Sequence, residues 1–297
     1  MIDEVEELFK RQTRSWPLLA SGIEGLARAE TRRVRIDWFD IVIRHISHRI
    51  ASTTAAVDRE SVANRPCLLC EVNMPPEEEG LRFDENFTIY CNPLPILDRH
   101  LTIARREHGP QRIAKNFGTM LDICAALAGY FVVYNGPACG ASAPDHMHFQ
   151  AASRALFPIE KDTAGLTGIT VPNYSRNVFM LRGRDRSALV ERVDRAIDLL
   201  AEATGKRIEP LINIATFHER GEWVTYLFPR AKHRPDVFHT GELTVSPASI
   251  DLCGIFVVPL AKHFERITSD AIAAIFREVT LPDAMFQEVA RKLGSEL

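Results

Sequence analysis

Three observations predict an α+β chain, an antiparallel sheet with flanking helices. First, His146-Met-His-Phe-Gln150 alternates polar and apolar residues, the period of a strand with one face in a core. Second, two apolar, β-prone runs within residues 87–108 flank the turn Asn92-Pro-Leu-Pro95, which reads as a hairpin. Third, Ile113, Phe117, Met120, Leu121, Cys124 and Leu127 recur at helical spacing between hairpin and strand, predicting a helix over 111–130.

In chain order, residues 1–62 read as a mainly helical segment. Residues 4–11 and 22–32 carry helix formers with opposite charges, and 38–50 adds an apolar run that ends in Ser52-Thr-Thr54. Residues 63–155 hold a Cys-x-x-Cys knuckle, the hairpin, the helix and the alternating strand. In 156–297 the pattern predicts a helix over 186–204, strands over 209–217 and 222–228, and a last helix over 281–293. No Gly/Ser linker or low-complexity tract separates the parts.

At 297 residues the chain has room for one large domain or two of about 150 residues. A 46% hydrophobic, 25% charged composition is that of a globular protein. A net charge of −3 argues against general nucleic-acid binding, which needs a basic face. Six cysteines with one close pair do not make a disulfide scaffold. The N-terminus lacks the basic-then-apolar pattern of a signal peptide, and no apolar run approaches the ~20 residues that span a bilayer. A cytoplasmic protein without membrane or nucleic-acid partners is expected, as monomer or homodimer.

On a strand His146, His148 and Gln150 form one polar row while Met147 and Phe149 face a core. Just upstream, residues 135–144 combine two glycines, a serine and two prolines, a composition suited to wrapping backbone amides around an anion. A nucleophilic imidazole beside such a loop can carry phosphoryl or nucleotidyl transfer through a histidine-bound intermediate. The alternative is a half-buried strand with two structural histidines. Cys67-Leu-Leu-Cys70 has the spacing that lets two thiolates reach one zinc; a redox pair or chance are the other readings.

The His-Met-His-Phe-Gln run and its loop resemble the histidine-triad superfamily in its glutamine-bearing branch. That branch comprises galactose-1-phosphate uridylyltransferase, the dinucleoside polyphosphate phosphorylases and the GDP-hexose phosphorylases. The resemblance implies a triad-like antiparallel sheet, built as two triad-like halves in one chain with only one half keeping the nucleophile. It assigns His148 as nucleophile and Gln150 as the phosphate-binding replacement for a third histidine. Asn135, Gly140 and Ser142 fall at its phosphate loop, although Asp145 intervenes where the uridylyltransferases place a single proline. It nominates Cys67, Cys70, His108 and His146, in that order, as ligands of a structural Zn2+. His100, opening the second hairpin strand, matches a histidine near the phosphates; a capped strand-end histidine is the other reading. An uncharacterised bacterial family is similar over residues 65–259.

Residues 212–230 again read strand, turn, strand, ending in Pro229-Arg230 like a decayed copy of the first hairpin. The cluster Arg230-Ala-Lys-His-Arg234 then suits an anionic substrate, with Arg230 and Lys232 sharing a face by strand alternation; a solvated strand end is the alternative. The turn over 246–254 resembles the C-terminal part of the GDP-hexose phosphorylases. The expected activity is nucleotidyl transfer or phosphorolysis on a nucleoside-diphosphate sugar or dinucleoside polyphosphate. A neutral glutamine cannot activate water as a third histidine could, which favours an anionic acceptor such as phosphate. A hydrolase using the same site and a non-catalytic, zinc-stabilised nucleotide-binding protein are the alternatives.

Overall fold

The computed structural model describes residues 1–206 and 208–295. Eleven strands lie among them: β1 Glu30–Ile36, β2 Phe39–His45, β3 Gly80–Arg82, β4 Phe87–Cys91, β5 Leu101–Arg105, β6 Tyr130–Asn135, β7 His148–Ser153, β8 Phe179–Gly183, β9 Ile212–Glu219, β10 Glu222–Pro229 and β11 Ile255–Val258. Eight form one sheet in the order β3-β4-β5-β7-β6-β9-β10-β8. The two halves meet edge to edge where β6 pairs antiparallel with β9, Asn135 opposite Asn213. A two-half antiparallel α+β fold results, as the motif pattern predicts.

Each sheet face carries its own core. Met147, Phe149 and Ala151 join Ile89, Ile103, Val132 and Ile214 under the helices Phe117–Ala126, Arg186–Thr204 and Asp283–Ser295. Residues of opposite parity, among them Phe131, Val133, Ala152, Ala215 and Tyr226, pack against the three-stranded sheet β1-β2-β11. Alternation therefore sends His148 and Gln150 to the second face, and that face holds the cavity.

The N-terminal segment departs from the mainly helical expectation. Ile2–Ser15 and Pro17–Ala27 are helices, but β1 and β2 follow. Thr31-Arg-Arg-Val-Arg-Ile36 alternates, and the β-branched run of β2 finds a parallel partner in β11, more than two hundred residues away. That distant partner decides the conformation over local charge pairing. The helix expected over 111–130 is confined to Phe117–Ala126. Residues ahead of it form an extended loop, and Tyr130 already begins β6. The helix Arg186–Thr204 has the expected bounds, with Asp185 capping its N-terminus and Gly205 its C-terminus in the left-handed conformation. Among the described residues no helix is long and apolar enough to cross a membrane.

Candidate active site and metal centre

Strand β7 opens at His148. Its ring Nδ1–H donates to the main-chain carbonyl of His146 at 2.8 Å, so Nε2 keeps its lone pair. Burial lowers the pKa to about 4, against the opposing bond to His146. The ring is therefore a neutral imidazole at pH 7, the nucleophilic form. A cavity of about 560 Å³ lies on this face, lined by His148, Gln150, Thr102, Asn92, Arg49 and Arg234 among others. Tyr90, Thr102 and Gln150 stand opposite one another on β4, β5 and β7, a polar row leading away from the nucleophile along the cavity floor.

One residue that sequence reading missed holds the nucleophile's backbone. β6 and β7 pair only as far as Val133 and Gln150, so the strands part at Asn135 and His148. Gln111 fills the gap. Its amide donates to the carbonyls of His148 at 2.9 Å and Asn135 at 3.0 Å, and its oxygen accepts from His148 N–H at 2.7 Å. This satisfies backbone groups that would otherwise be buried without partners. Read as the start of a helix, Gln111 gives no signal of that role.

The loop between β6 and β7 forms one cavity wall through Asn135, Gly140 and Ser142. Gly140 sits at φ +97°, where a side chain would meet Ala248 Cβ at 2.6 Å, so only glycine fits. Arg65 ties the loop down, pairing with Asp145 at 2.8 Å and reaching the Ser142 carbonyl. The extra Asp145 is thus the loop's anchor. Asn135 lines the cavity, but its Oδ1 accepts from Asn213 Nδ2, Ser249 N and Ser249 Oγ at 2.7–2.9 Å. Its amide oxygen is a structural hub.

His100 and the basic cluster are placed differently from expectation. His100 is buried behind Gln150, its Nε2 2.9 Å from Gln150 Oε1, and does not line this cavity. Arg230 is 1% exposed. Its guanidinium donates to the carbonyls of Val279, Pro247, Lys232 and His233 at 2.9–3.1 Å, and to Asn213 Oδ1. With its donors spent it cannot receive a phosphate. Lys232 pairs with Asp236 and Glu278 and also stands outside the cavity. The strand ends at Pro229, so alternation does not carry past it. His233 and Arg234 are the cluster residues that reach the cavity.

Arg234 is braced by the carbonyls of Thr53 and Ala55, and Arg49 by the carbonyl of Leu94. Burial lowers the Arg49 pKa to about 10, with Asp251 opposing, which leaves the group cationic at neutral pH. Among the described residues neither arginine forms an ion pair within 4 Å, and Asp251 is the cavity carboxylate whose charge bears on Arg49. Arg234 belongs to the basic cluster read from the sequence, whereas Arg49 carries no motif, and folding alone brings the two to one cavity.

Cys67, Cys70, His108 and His146 converge, with one ligand atom of each lying within 4.8 Å of all the others. Cys67 Sγ is 3.2 Å and Cys70 Sγ 3.6 Å from His146 Nδ1, and Cys70 Sγ is 3.3 Å from His108 Nδ1. Tetrahedral zinc with Zn–S of ~2.3 Å and Zn–N of ~2.0 Å sets sulfur and nitrogen ~3.5 Å apart. His146 Nε2–H donates to the Arg105 carbonyl at 2.5 Å, which leaves Nδ1 free as a ligand in the usual outer-shell arrangement. Burial pushes the Cys67 thiol up to about 11, so a thiolate there needs a cation. The donor set fits a metal ion. His146 precedes β7 rather than sharing its row, and its ring turns to this cluster instead of the cavity.

A two-half antiparallel sheet and a His-x-His-x-Gln strand end fit the histidine-triad superfamily that the sequence resembles. Matches to a family model and to solved structures support that resemblance. Residues 8–153 match a family model described as a domain of unknown function (DUF4922), and 151–297 match the GDPGP1-like C-terminal domain. No curated protein matches the chain in sequence. Among solved structures, yeast Ap4A phosphorylase Apa2 in complex with AMP is similar with a TM-score of 0.60 at 16% identity, over 94% of this chain and 96% of that one. The same enzyme in complex with Ap4A gives 0.58 at 17%, over 93% and 97%.

Proposed function

We propose that the chain is a nucleotidyltransferase or phosphorylase acting on a nucleoside-diphosphate sugar or dinucleoside polyphosphate. The carrying observation is His148: neutral, with Nδ1 held by a main-chain carbonyl and Nε2 left for a cavity that also presents Gln150, loop residues and two arginines. In the first step Nε2 bonds to the α-phosphorus as the bridging P–O bond breaks. The electron pair leaves with the departing sugar phosphate or nucleotide. In the second step an oxygen of inorganic phosphate or another phosphate acceptor attacks the same phosphorus, and the P–N pair returns to Nε2. No proton need move in either step, which suits a neutral amide at position 150 and an anionic acceptor.

Arg49 and Arg234 would take the charge of the departing or incoming phosphate. The nucleoside would lie along Tyr90, Thr102 and Asn92. A metal bound by Cys67, Cys70, His108 and His146 would have four protein ligands and hence a structural role. The fold shared with Ap4A phosphorylase is compatible with this chemistry, and the site residues carry the reading.

The test is capture of a labelled nucleotidyl-enzyme from α-labelled nucleotide sugars and dinucleoside polyphosphates, chased with phosphate or with water alone. Label should appear on wild type, not on folded His148→Ala, and be discharged by phosphate. Label retained by His148→Ala, or discharged by water as fast as by phosphate, would overturn the covalent phosphorylase.

A further inference from the structure

The turn leading into β5 folds back on itself. Arg99 takes the left-handed conformation at φ +55°, and the His100 ring lies under the turn's own backbone. Ile96 N–H points at His100 Nδ1 at 3.1 Å, while His100 Nε2 lies 2.9 Å from Gln150 Oε1. A backbone N–H can only donate, so Nδ1 must carry the lone pair and Nε2 the hydrogen. Nε2–H in turn can only donate, so the atom of Gln150 facing it must be the amide oxygen.

We infer that His100 is a positioning residue that locks the Gln150 side chain with its oxygen away from the cavity and its –NH2 toward it, presenting hydrogen-bond donors to a phosphate. The inference rests on the reading of Gln150 as a phosphate-binding group. An amide is nearly symmetric in shape, and nothing in its own rotamer says which end faces the substrate. An amide oxygen aimed at a phosphate would repel it; an –NH2 donates to it. The distinction is therefore set two steps away, by a main-chain N–H that no substitution at position 96 other than proline removes.

Burial supports the neutral tautomer. His100 is 1% exposed, and burial together with the nearby Arg49 cation lowers its pKa to about 3. Arg49, which lines the cavity beside this turn, thus favours the neutral ring. A protonated ring would set an N–H against the Ile96 N–H.

Two measurements test the assignment. Nitrogen-15 NMR of histidine-labelled protein should show His100 neutral with Nε2 protonated at pH 7, and still neutral at pH 5; a Nδ1–H tautomer or a cation refutes the lock without reference to catalysis. The second is a double-mutant cycle on nucleotidyl-enzyme formation. His100→Leu should lower the rate constant at least about tenfold, the scale of a misplaced transition-state donor. His100→Gln, with an acceptor and a donor of its own, should recover much of it. In a Gln150→Ala background His100→Leu should add nothing further, because its effect passes through the amide. Additive losses would refute the positioning role, whereas a Gln150→Ala enzyme of full activity would instead refute the reading of Gln150. If His100→Leu does not fold, His100→Gln and the NMR tautomer still decide the matter.

Discussion

Replacing Arg230 distinguishes a substrate-binding arginine from a structural clasp. Its guanidinium serves four main-chain carbonyls and one side-chain oxygen, from Val279, Pro247, Lys232, His233 and Asn213. These carbonyls come from the end of a helix, the turn after β10 and the loop before Ser249, segments also joined by Ala231 N–H to the Val279 carbonyl, Lys232 to Glu278 and Arg234 to Ser246. Each bond to a charged donor contributes about 1.5–3 kcal/mol net, and an acceptor left buried without a partner costs about 1–3 kcal/mol. Even if solvent or relaxation compensates three of the five, Arg230→Met should destabilise by roughly 4 kcal/mol, an appreciable part of the 5–15 kcal/mol typical of a folded protein. Arg230→Lys, with three donors and no planar fork, should lie between. Urea unfolding followed by fluorescence measures this, with the midpoint falling at unchanged slope. An unfolding free energy within about 0.5 kcal/mol of wild type, together with tenfold weaker nucleotide binding, would refute the clasp and restore a substrate contact.

Protein prepared without chelators should contain about one zinc per chain by elemental analysis, and Cys70→Ser should lose both the metal and several degrees of thermal stability; zinc-free wild type of unchanged stability would remove the metal centre. Stability should also respond to acid through His100. Its folded pKa, about 3, lies below the ordinary 6.5, so the unfolded chain binds a proton that the native ring refuses. The neutral ring's contribution is thus present above pH 6.5 and lost progressively as pH falls toward 3, at up to about 1.4 kcal/mol per pH unit. His233, lowered to about 4 by burial and Arg234, acts in the same direction, while Asp251, raised to about 6 by burial, opposes it. The stability of His100→Gln should decline less steeply between pH 6 and 4 than that of wild type, and parallel slopes would contradict a buried neutral ring.

The half of the site that depends on one strand was legible because strand geometry turns sequence spacing directly into facing. Met147 and Phe149 had to enter the core if His148 and Gln150 faced the cavity, and they do. The metal-type cluster was legible through the superfamily resemblance, which supplied the order Cys67, Cys70, His108, His146. The basic cluster was misjudged because alternation was extended past Pro229, where β10 stops; Arg230 is buried and Arg234 reaches the cavity instead. Arg49 and Gln111 could not be found from pattern at all. One lies on a short turn after β2, whose course depends on β11, and the other caps a gap between strands that exists only once β6 and β7 have paired.

His146 divides its loyalties in a way that shapes how this site can change. Its ring belongs to the metal-type cluster, while its carbonyl fixes the tautomer of the residue two places on. A carbonyl is common to all twenty amino acids, so no mutation at 146 deletes the group that orients His148; it can only be shifted. What holds it in place is the main chain on either side, with His146 N–H on the Ala143 carbonyl and Met147 N–H on the Gly109 carbonyl, together with the Cys–His knot and the Arg105 carbonyl that accepts from the ring. Lineages could therefore discard the knot while retaining a poised imidazole, provided some other packing keeps the main chain still. The cysteines and the nucleophile are chemically separable even though they are neighbours in space.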